Sequence, residues 1–595
     1  MKRIYLFSLT ILFAVLSASA GYKAVITCTD GTIHEYIIWD YYSFDEDYES
    51  GKLSEYTDNA VTHVLTFNEE ATVLYLHCAD DVTVAYPVDF ISDITFDTDD
   101  ELANAPYSTD FDVAFSPDDE TSYTSVTEKV VTSETADDYG DFIENFEDDD
   151  ESKGTVTITW SGTTASVTHN PSSLKNSVVV ASATSSDVII YSSKKVDFIL
   201  KGATDDGSLT LYSEKKCSMT LDGVSITNSD GAAINMPKKT VGTVAYGGKT
   251  CYVVLKGASS LTDGKTYSSA VSGEDMKATL FSEGQLIFSG TGTLNVTSRY
   301  GHGIASDDYI RIRGGKHNPD ITVTSAKDGI SVNDYLLMYG GTVTVVAVDD
   351  GIDVGKGYVA INGGKLTVVA IDEGIAASYQ GESDGTVDAS INPSITIAGG
   401  LVTVATTGDK GHAIRARRDI TVTGGIVRTT VKGAGSKGLN ADGAVTITGG
   451  KVVGMAEGLP VYDEEEDDLS SAAGIRSKST ITISGNAVIG LKATADGGKG
   501  INSNGLITLT GGKVTVVTLG SKYTFGGSNS RARGITADVG LDLSGGELRI
   551  CSMDDALYTP EILNVSGGSL QAYSSSSQSL RYGTFMYTGG WIVYK

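Results

Sequence analysis

Residues 349–370 read DDGIDVGKGYVAINGGKLTVVA. Apolar and polar side chains alternate in three short runs, which is the pattern of β-strands with one buried face. The alternation places Ile352, Val359 and Leu366 inward, one in each run. The Gly363-Gly364 pair permits the positive φ that a tight corner needs. The stretch therefore predicts three short strands and three corners, which together make one turn of a coil.

The same pattern recurs through the second half of the chain. Its Gly-Gly marker begins at residues 314, 340, 363, 399, 424, 449, 511, 545, 567 and 589. A period of about 22–25 residues is typical of a solenoid, whereas a propeller blade needs about 40. Three longer intervals hold insertions at Tyr379–Asn392, Tyr462–Ala473 and Ser521–Arg533. We expect the inward residues of successive turns to form one ladder: Ile304, Ile330, Ile352, Ile375, Ile414, Leu439, Ile475, Ile501 and Ile535.

Four segments are expected along the chain. Residues 1–20 have the pattern of a secretory signal peptide, with Lys2 and Arg3 before an apolar run that is too short to span a bilayer. Residues 21–97 predict a small β module, and residues 98–153 an acidic linker. Residues 154–595 form the solenoid. No transmembrane segment is predicted, so a secreted or cell-surface location is expected.

Charge narrows the choice of partner. The formal net charge of −32 over 595 residues makes nucleic acid an improbable partner. Divalent cations would relieve the repulsion among so many carboxylates, although such charge can also simply serve solubility. The five cysteines are scattered and predict no disulfide framework.

Acidic residues precede the inward isoleucine on three consecutive turns. Asp328, Asp350 and Glu373 should stack at the spacing of adjacent strands, about 4.8 Å. One calcium ion between two turns can then contact carboxylates from both. Other acids close in sequence could complete the oxygen shell, including Asp307, Asp308 and Asp353. The alternative is ordinary Asp-Gly turn chemistry with solvated carboxylates.

Three tyrosines keep the same register. Tyr309, Tyr335 and Tyr358 each stand five residues before a Gly-Gly marker, and their neighbours point inward. The rings are therefore expected to stack outward on one face, where they could support a glycan through ring faces and hydroxyl groups. An aromatic ladder that only stabilises neighbouring strands is the other interpretation.

Arginines are concentrated in one turn of the solenoid. Alternation turns Arg415 and Arg417 outward, and their planar forks suit the carboxylates of acidic sugars. Charge balance against nearby aspartates is the alternative. No catalytic triad or phosphate loop is visible, and no catalytic residue is predicted.

The runs GHGIASDDYI (301–310), AKDGI (326–330) and IDEGIAAS (371–378) resemble the bacterial carbohydrate-binding β-helix family, which is similar to polysaccharide lyases in fold. The resemblance covers about 155–460 and implies a right-handed parallel β-helix that binds cellulose or pectin-like polysaccharide. It also implies calcium between the coils. The ligands carried over are Asp328, Asp349, Asp350, Asp353, Asp372 and Glu373, with Asp307 and Asp308 beside them. Ser331 and Asn333 replace acids in one coil, which leaves the ion count open.

Three functions follow from these patterns. The first is a monomeric, exported polysaccharide-binding protein with structural calcium. The second is a calcium-dependent lyase in which Arg415, Arg417 or Lys410 removes a proton beside a uronate carboxylate. The third is a structural surface stalk or adhesin.

Overall fold

A computed structural model describes residues 22–38, 61–68, 72–78, 82–97, 154–183, 185–464 and 467–595. Regular structure in these ranges is β-strand, apart from two single 3-10 turns at Val88–Phe90 and Ser172–Asn176. None of the described helical segments is long and apolar enough to cross a bilayer. The predicted signal peptide and acidic linker lie outside the described residues.

The N-terminal module is a small, mainly antiparallel sheet. Its strands are Tyr22–Cys28, Ile33–Ile38, Val61–Phe67, Val73–Cys78, Thr83–Pro87 and Ile91–Asp97. The first two strands form a hairpin whose turn contains Gly31 at φ 86°. Only Ile33–Ile38 and Val61–Phe67 pair in parallel.

The rest of the described chain is built from three ladders of parallel strands. The first ladder contains Asp187–Ser192, Ser208–Ser213, Ile234–Met236, Ala278–Ser282, His302–Ser306, Ile330–Val332, Ile352–Val354, Ile375–Ala377, Ile414–Ala416, Lys437–Ala441, Ala473–Ser477, Lys499–Ser503 and Ile535–Ala537.

The second ladder follows the first along each turn. It contains Thr155–Ser161, Asp197–Thr204, Cys217–Asp222, Cys251–Lys256, Leu286–Gly290, Ile310–Ile312, Tyr335–Met338, Tyr358–Ile361, Ile395–Ile397, Ile420–Val422, Val445–Ile447 and Ile481–Ile483.

The third ladder completes the turn. Its strands are Ser225–Thr227, Ala258–Thr262, Thr293–Thr297, Asp320–Ser325, Thr342–Ala347, Lys365–Ala370, Leu401–Thr406, Ile426–Val431, Lys451–Ala456 and Val488–Ala493. Four longer strands bend through corners and continue two or three ladders: Leu506–Thr518, Gly540–Ser552, Leu557–Ser574 and Leu580–Tyr594. We call one strand from each ladder a coil.

Additional strands lie outside the ladders. Thr164–Asn170 and Val178–Ser182 pair antiparallel with the first strands of the second and first ladders. Three hairpins project from corners between coils. They pair Lys239–Val241 with Val244–Tyr246, Val461–Asp463 with Asp468–Ser470, and Tyr523–Phe525 with Ser528–Ser530. The last two occupy predicted insertions.

The predicted inner ladder is confirmed. Ile304 pairs with Ile330, and the register continues coil by coil to Ile535, with every member buried. The Gly-Gly corners are confirmed as well, because the second glycine of each marker has φ between 67° and 85°. A Cβ on Gly364 would lie 2.7 Å from the Gly341 oxygen, so the corners also stack too closely for a side chain.

The N-terminal module comes before the first coil in sequence but packs against the last coil in space. Thr83–Pro87 pairs antiparallel with Leu580–Tyr594, and Thr83 lies opposite Tyr594. The buried side chains of Leu74 and Tyr86 belong to one apolar cluster with Tyr573 and Val593. The module and the final coil therefore share a core.

Candidate functional site

One column of outward side chains runs along the corner that precedes the first ladder. Its members stand two residues before each inward apolar residue and are separated by one strand spacing, about 4.8 Å. The corner column consists of His302, Asp328, Asp350, Glu373, His412, Lys437, Ala473, Lys499, Arg533 and Asp555. It is acidic in its first half and mainly basic in its second half.

The acidic half gathers six of the predicted metal ligands. We call Asp328, Asp349, Asp350, Asp353, Asp372 and Glu373 the acidic site. Carboxylate oxygens of Asp349, Asp350 and Asp372 lie within 4.8 Å of one another. The Glu373 N–H donates a 2.9 Å hydrogen bond to Asp350 Oδ1, which ties two neighbouring coils together. The six acids come from three consecutive coils.

Burial and mutual repulsion shift the protonation of these acids. Burial, then the charges of Glu373 and Asp353, raise the pKa of Asp350 to about 9. Burial, then Asp372, raises the pKa of Glu373 to about 7. Burial is also the main cause of the raised pKa of Asp349. Like charges in adjacent coils are thus poorly compensated by the protein itself.

Asp353 contributes a buried carboxylate oxygen to the acidic site. It lies outward on the first ladder, aligned with Ser331 and Ala376. Its Oδ1 atom is buried without a hydrogen-bond partner, and burial raises the pKa of its carboxyl group. A buried carboxylate oxygen of this kind is unfavourable unless a cation or donor meets it. Oxygen-only donors of high charge fit the ligand preference of calcium.

His302 closes one end of the acidic site. Its Nδ1 lies 3.0 Å from Asp328 Oδ2, and Asp328 is buried. The sequence analysis did not connect this residue with the acids. Counting two positions back from each inward isoleucine would have placed it in the same column.

Two predicted metal ligands lie elsewhere. Asp307 and Asp308 come directly after the first-ladder strand His302–Ser306. Most acids of the acidic site instead come just before the first-ladder strands of the following coils. Asp307 pairs with Lys277 at 2.8 Å. Asp308 accepts a hydrogen bond from Gln285, and burial together with Asp334 raises its pKa. The structure therefore does not bring these two residues into the acidic site, because opposite ends of one strand occupy different corners.

The three tyrosines stack as predicted. The ring centroids of Tyr309 and Tyr335 are 4.6 Å apart at 8°, and those of Tyr335 and Tyr358 are 5.1 Å apart at 10°. This near-parallel packing covers both faces of the central ring. Tyr358 is the most exposed at 37%, and the next position in its row is the small Ser394. Of the three, Tyr358 is best placed to present a ring face to a ligand.

The two predicted arginines differ in exposure. Arg415 lies outward on the first ladder, as predicted, but neighbouring residues cover it and leave it only 6% exposed. Its Nη2 donates to Asp442 Oδ2 at 2.8 Å and its Nη1 to the Ala416 oxygen at 3.2 Å. Arg417 is half-buried and lines a cleft of about 450 Å³ beneath the 379–392 insertion, with Tyr379 and Asp442. Asp442 comes from the next coil, so sequence neighbours of Arg415 gave no sign of it.

The fold and corner chemistry define a class of all-β repeat proteins with stacked parallel strands and charged outward columns. A family model described as "Carbohydrate-binding domain-containing protein" matches residues 184–455, 388–521 and 490–578, together more than half of the chain. The chain therefore belongs to this family.

A solved structure, the polysaccharide lyase-like protein from C. thermocellum (gadolinium derivative), is also similar. It has 20% identity and a TM-score of 0.33, and the alignment covers 49% of this chain and 97% of that chain. No curated protein matches this chain.

Proposed function

We propose that this protein binds polysaccharide on the outer surface of its coils, with calcium held at the acidic site. Family membership supports a carbohydrate ligand. The observation that carries the proposal is the position of two features on the same coils. The acidic site and the tyrosine row lie at opposite ends of the first-ladder strands Ile330–Val332 and Ile352–Val354. A sugar chain lying across this face would contact both.

We further propose that the coils form a right-handed parallel β-helix. Each first-ladder strand pairs in parallel with the first-ladder strand of the next coil, after a connection that passes through two other ladders. Crossover connections between parallel strands of one sheet are right-handed in about 98% of cases. The family resemblance points to the same hand.

Calcium would be held by carboxylates of the acidic site. A bound ion would lower the repulsion between Asp350 and Glu373 and provide a partner for Asp353 Oδ1. The ion could also accept a carboxylate of the sugar in its remaining coordination positions, which favours plant-type acidic polysaccharide as the ligand. We propose an exported monomer, on the basis of the signal-peptide pattern of residues 1–20.

Binding without cleavage is favoured over lyase activity. Arg415 donates hydrogen bonds to Asp442 and to a backbone oxygen. A charged guanidinium cannot take a proton from a sugar. Arg417 lies 3.6 Å from the same carboxylate, so it too is paired.

The test measures binding and cleavage together. The protein with calcium is applied to immobilised polygalacturonate and to cellulose, and the eluate is followed in the ultraviolet for unsaturated uronates. Retention without absorbing product is expected. Product formation would establish the lyase, and passage through both columns would leave only the stalk or adhesin.

A further inference from the structure

The second half of the first-ladder face carries a concentration of cations in an otherwise acidic protein. Lys499 and Arg533 occupy adjacent places in the corner column. Arg476 lies outward on the first ladder between Asn440 and Asn502, and Lys478 follows it at the far end of the same strand. We call Arg476, Lys478, Lys499 and Arg533 the basic track. They come from three consecutive coils.

Two neighbouring cations, Lys437 and Arg415, are excluded from the track because their side chains are buried. Lys437 is buried, and its Nζ lies 2.6 Å from both the Gly435 oxygen and Ser470 Oγ. Arg415 is buried against Asp442. These two side chains lie beneath the surface of the first-ladder face and are not accessible to a ligand.

Lys499 is the centre of the track. Burial and the positive charges of Arg533 and Arg476 lower its pKa to about 8, and the more weakly acting Asp538 and Asp468 do not offset them. The half-buried lysine therefore lies in a local excess of positive charge. An anion placed between these three groups would be stabilised by all of them.

Two of the projecting hairpins, 461–470 and 523–530, lie beside the track and contact each other. Tyr462 of the first hairpin and Phe525 of the second have ring centroids 6.3 Å apart. Three described acids of the first hairpin have partners of their own. Asp463 pairs with Lys410 at 3.1 Å, Asp467 accepts from Tyr462, and Asp468 accepts from the Leu469 N–H.

Arg533 is held in a fixed orientation. Its guanidinium stacks on the Tyr558 ring at 3.7 Å, and its Nε donates to Asp555 Oδ2 at 3.0 Å. Such a preorganised arginine loses little side-chain entropy when it meets a second carboxylate. Lys478, at the open end of the track, has its side chain 46% exposed.

We infer that the basic track binds the carboxylates of a uronate-bearing polysaccharide directly, without an intervening metal ion. The inference rests on the proposed function and specifies its ligand class. Lys499 and Arg533 hold neighbouring places in the corner column, about 4.8 Å apart, and Arg476 lies on the coil before them. This spacing suits a chain that carries acid groups at regular intervals. Arginine forks bind carboxylates in pairs of hydrogen bonds, and lysine adds a point charge.

The experiment compares the double variant Arg476→Ala/Lys499→Ala with wild type, in calcium throughout. Affinity is measured for polygalacturonate and for its fully methyl-esterified form, which has lost the carboxylates. The double variant should bind polygalacturonate about tenfold more weakly, because two charge-assisted contacts are lost. Its binding of the esterified polymer should be unchanged. Lys513→Ala removes the same charge from the third ladder, where Lys513 pairs with Glu547, and should bind like wild type.

Two further variants keep the test informative if the double variant folds poorly. Lys499→Arg should retain affinity, and Lys478→Glu, at an exposed position, should lower it. Equal affinity of wild type, double variant and Lys478→Glu for polygalacturonate would overturn the basic track and leave the proposed function intact. If wild type bound neither this polymer nor cellulose, the proposed function itself would fail.

Discussion

The acidic site and the basic track occupy the same column of the same ladder, yet they handle charge in opposite ways. Acids in the first half crowd against one another, and His302 Nδ1 lies 3.0 Å from Asp328 Oδ2 at their edge. In the second half, by contrast, Arg533 has a buried counterion on the next coil, Asp555. The backbone register is identical in both halves, because inward apolar residues set it. Outward columns are therefore free to differ in charge from one half of the ladder to the other.

The largest expected effect comes from removing an acid in the basic half. Asp555 is fully buried and lies within 4 Å of Arg531, Arg533 and Arg581. Asp555→Asn removes the buried carboxylate that pairs with the largely buried Arg533, so the free energy of unfolding should fall by about 3–5 kcal/mol. Urea denaturation measures this loss. Asp538→Asn, at an exposed position three residues after Ile535, is the control and should change stability little.

The next effect concerns calcium at the acidic site. A ligand present at about 100 times its Kd stabilises a protein by about 2.7 kcal/mol, so a chelator should lower the melting temperature. The double variant Asp350→Asn/Glu373→Gln should lose this response to the chelator. A melting temperature of the wild type that does not respond to calcium would contradict the proposed site.

A smaller effect is expected on varying pH without calcium. The folded-state pKa values of Asp350, about 9, and Glu373, about 7, lie above the ordinary values of 3.8 and 4.5. The folded state therefore binds more protons than the unfolded state between pH 4 and 9. Stability should be greatest below about pH 4 with respect to these groups and should fall as pH rises through about 7 and 9.

Urea midpoints across this range, with chelator and with calcium, check the direction. Asp350→Asn in chelator should weaken the pH dependence, because it removes the group with the larger shift. A wild-type profile in chelator that rises from pH 5 to pH 9 would contradict the crowding of acids at this corner.

The smallest effect separates the ends of the tyrosine row from its centre. Tyr358→Ala should reduce polysaccharide affinity about threefold, because an exposed ring face is lost. Tyr335→Ala should mainly reduce stability, by about 1 kcal/mol, because both faces of that ring pack on neighbours. Titration with polygalacturonate and urea denaturation measure the two losses. Tyr582→Ala, which removes a ring stacked on Phe585 in the last coil, is the control for binding.

The coils could be predicted from the sequence because periodic patterns report on periodic structure. The spacing of Ile304, Ile330 and Ile352 fixed the inner ladder, and the Gly-Gly markers fixed one corner of each coil. Three acids of the acidic site, Asp328, Asp350 and Glu373, came into register by the same count. Asp307 was misassigned because sequence distance from the corner did not distinguish the two ends of a short strand.

Contacts between non-equivalent positions could not be predicted in this way. The burial of Arg415 depends on Asp442, which lies at a different column position on the next coil. The basic track depends on Arg476 and Lys499 together, which belong to different columns of adjacent coils. The antiparallel pairing of Val84 with Val593 joins the N-terminal module to the repeat, so the period of the repeat does not predict it.

That last pairing has a consequence for how the chain folds. The Tyr587 hydroxyl donates to the Ala85 oxygen across 502 positions of sequence. Each doubling of the length of a closed loop adds only about 0.6 kcal/mol of entropy cost, so the long loop costs little free energy at equilibrium. The contact should nevertheless form slowly, because its two partners are far apart in sequence. Its docking surface includes Tyr573 and Val593 and is complete only when the final coil has formed. The N-terminal module can therefore cover the open sheet edge only after all the coils have formed.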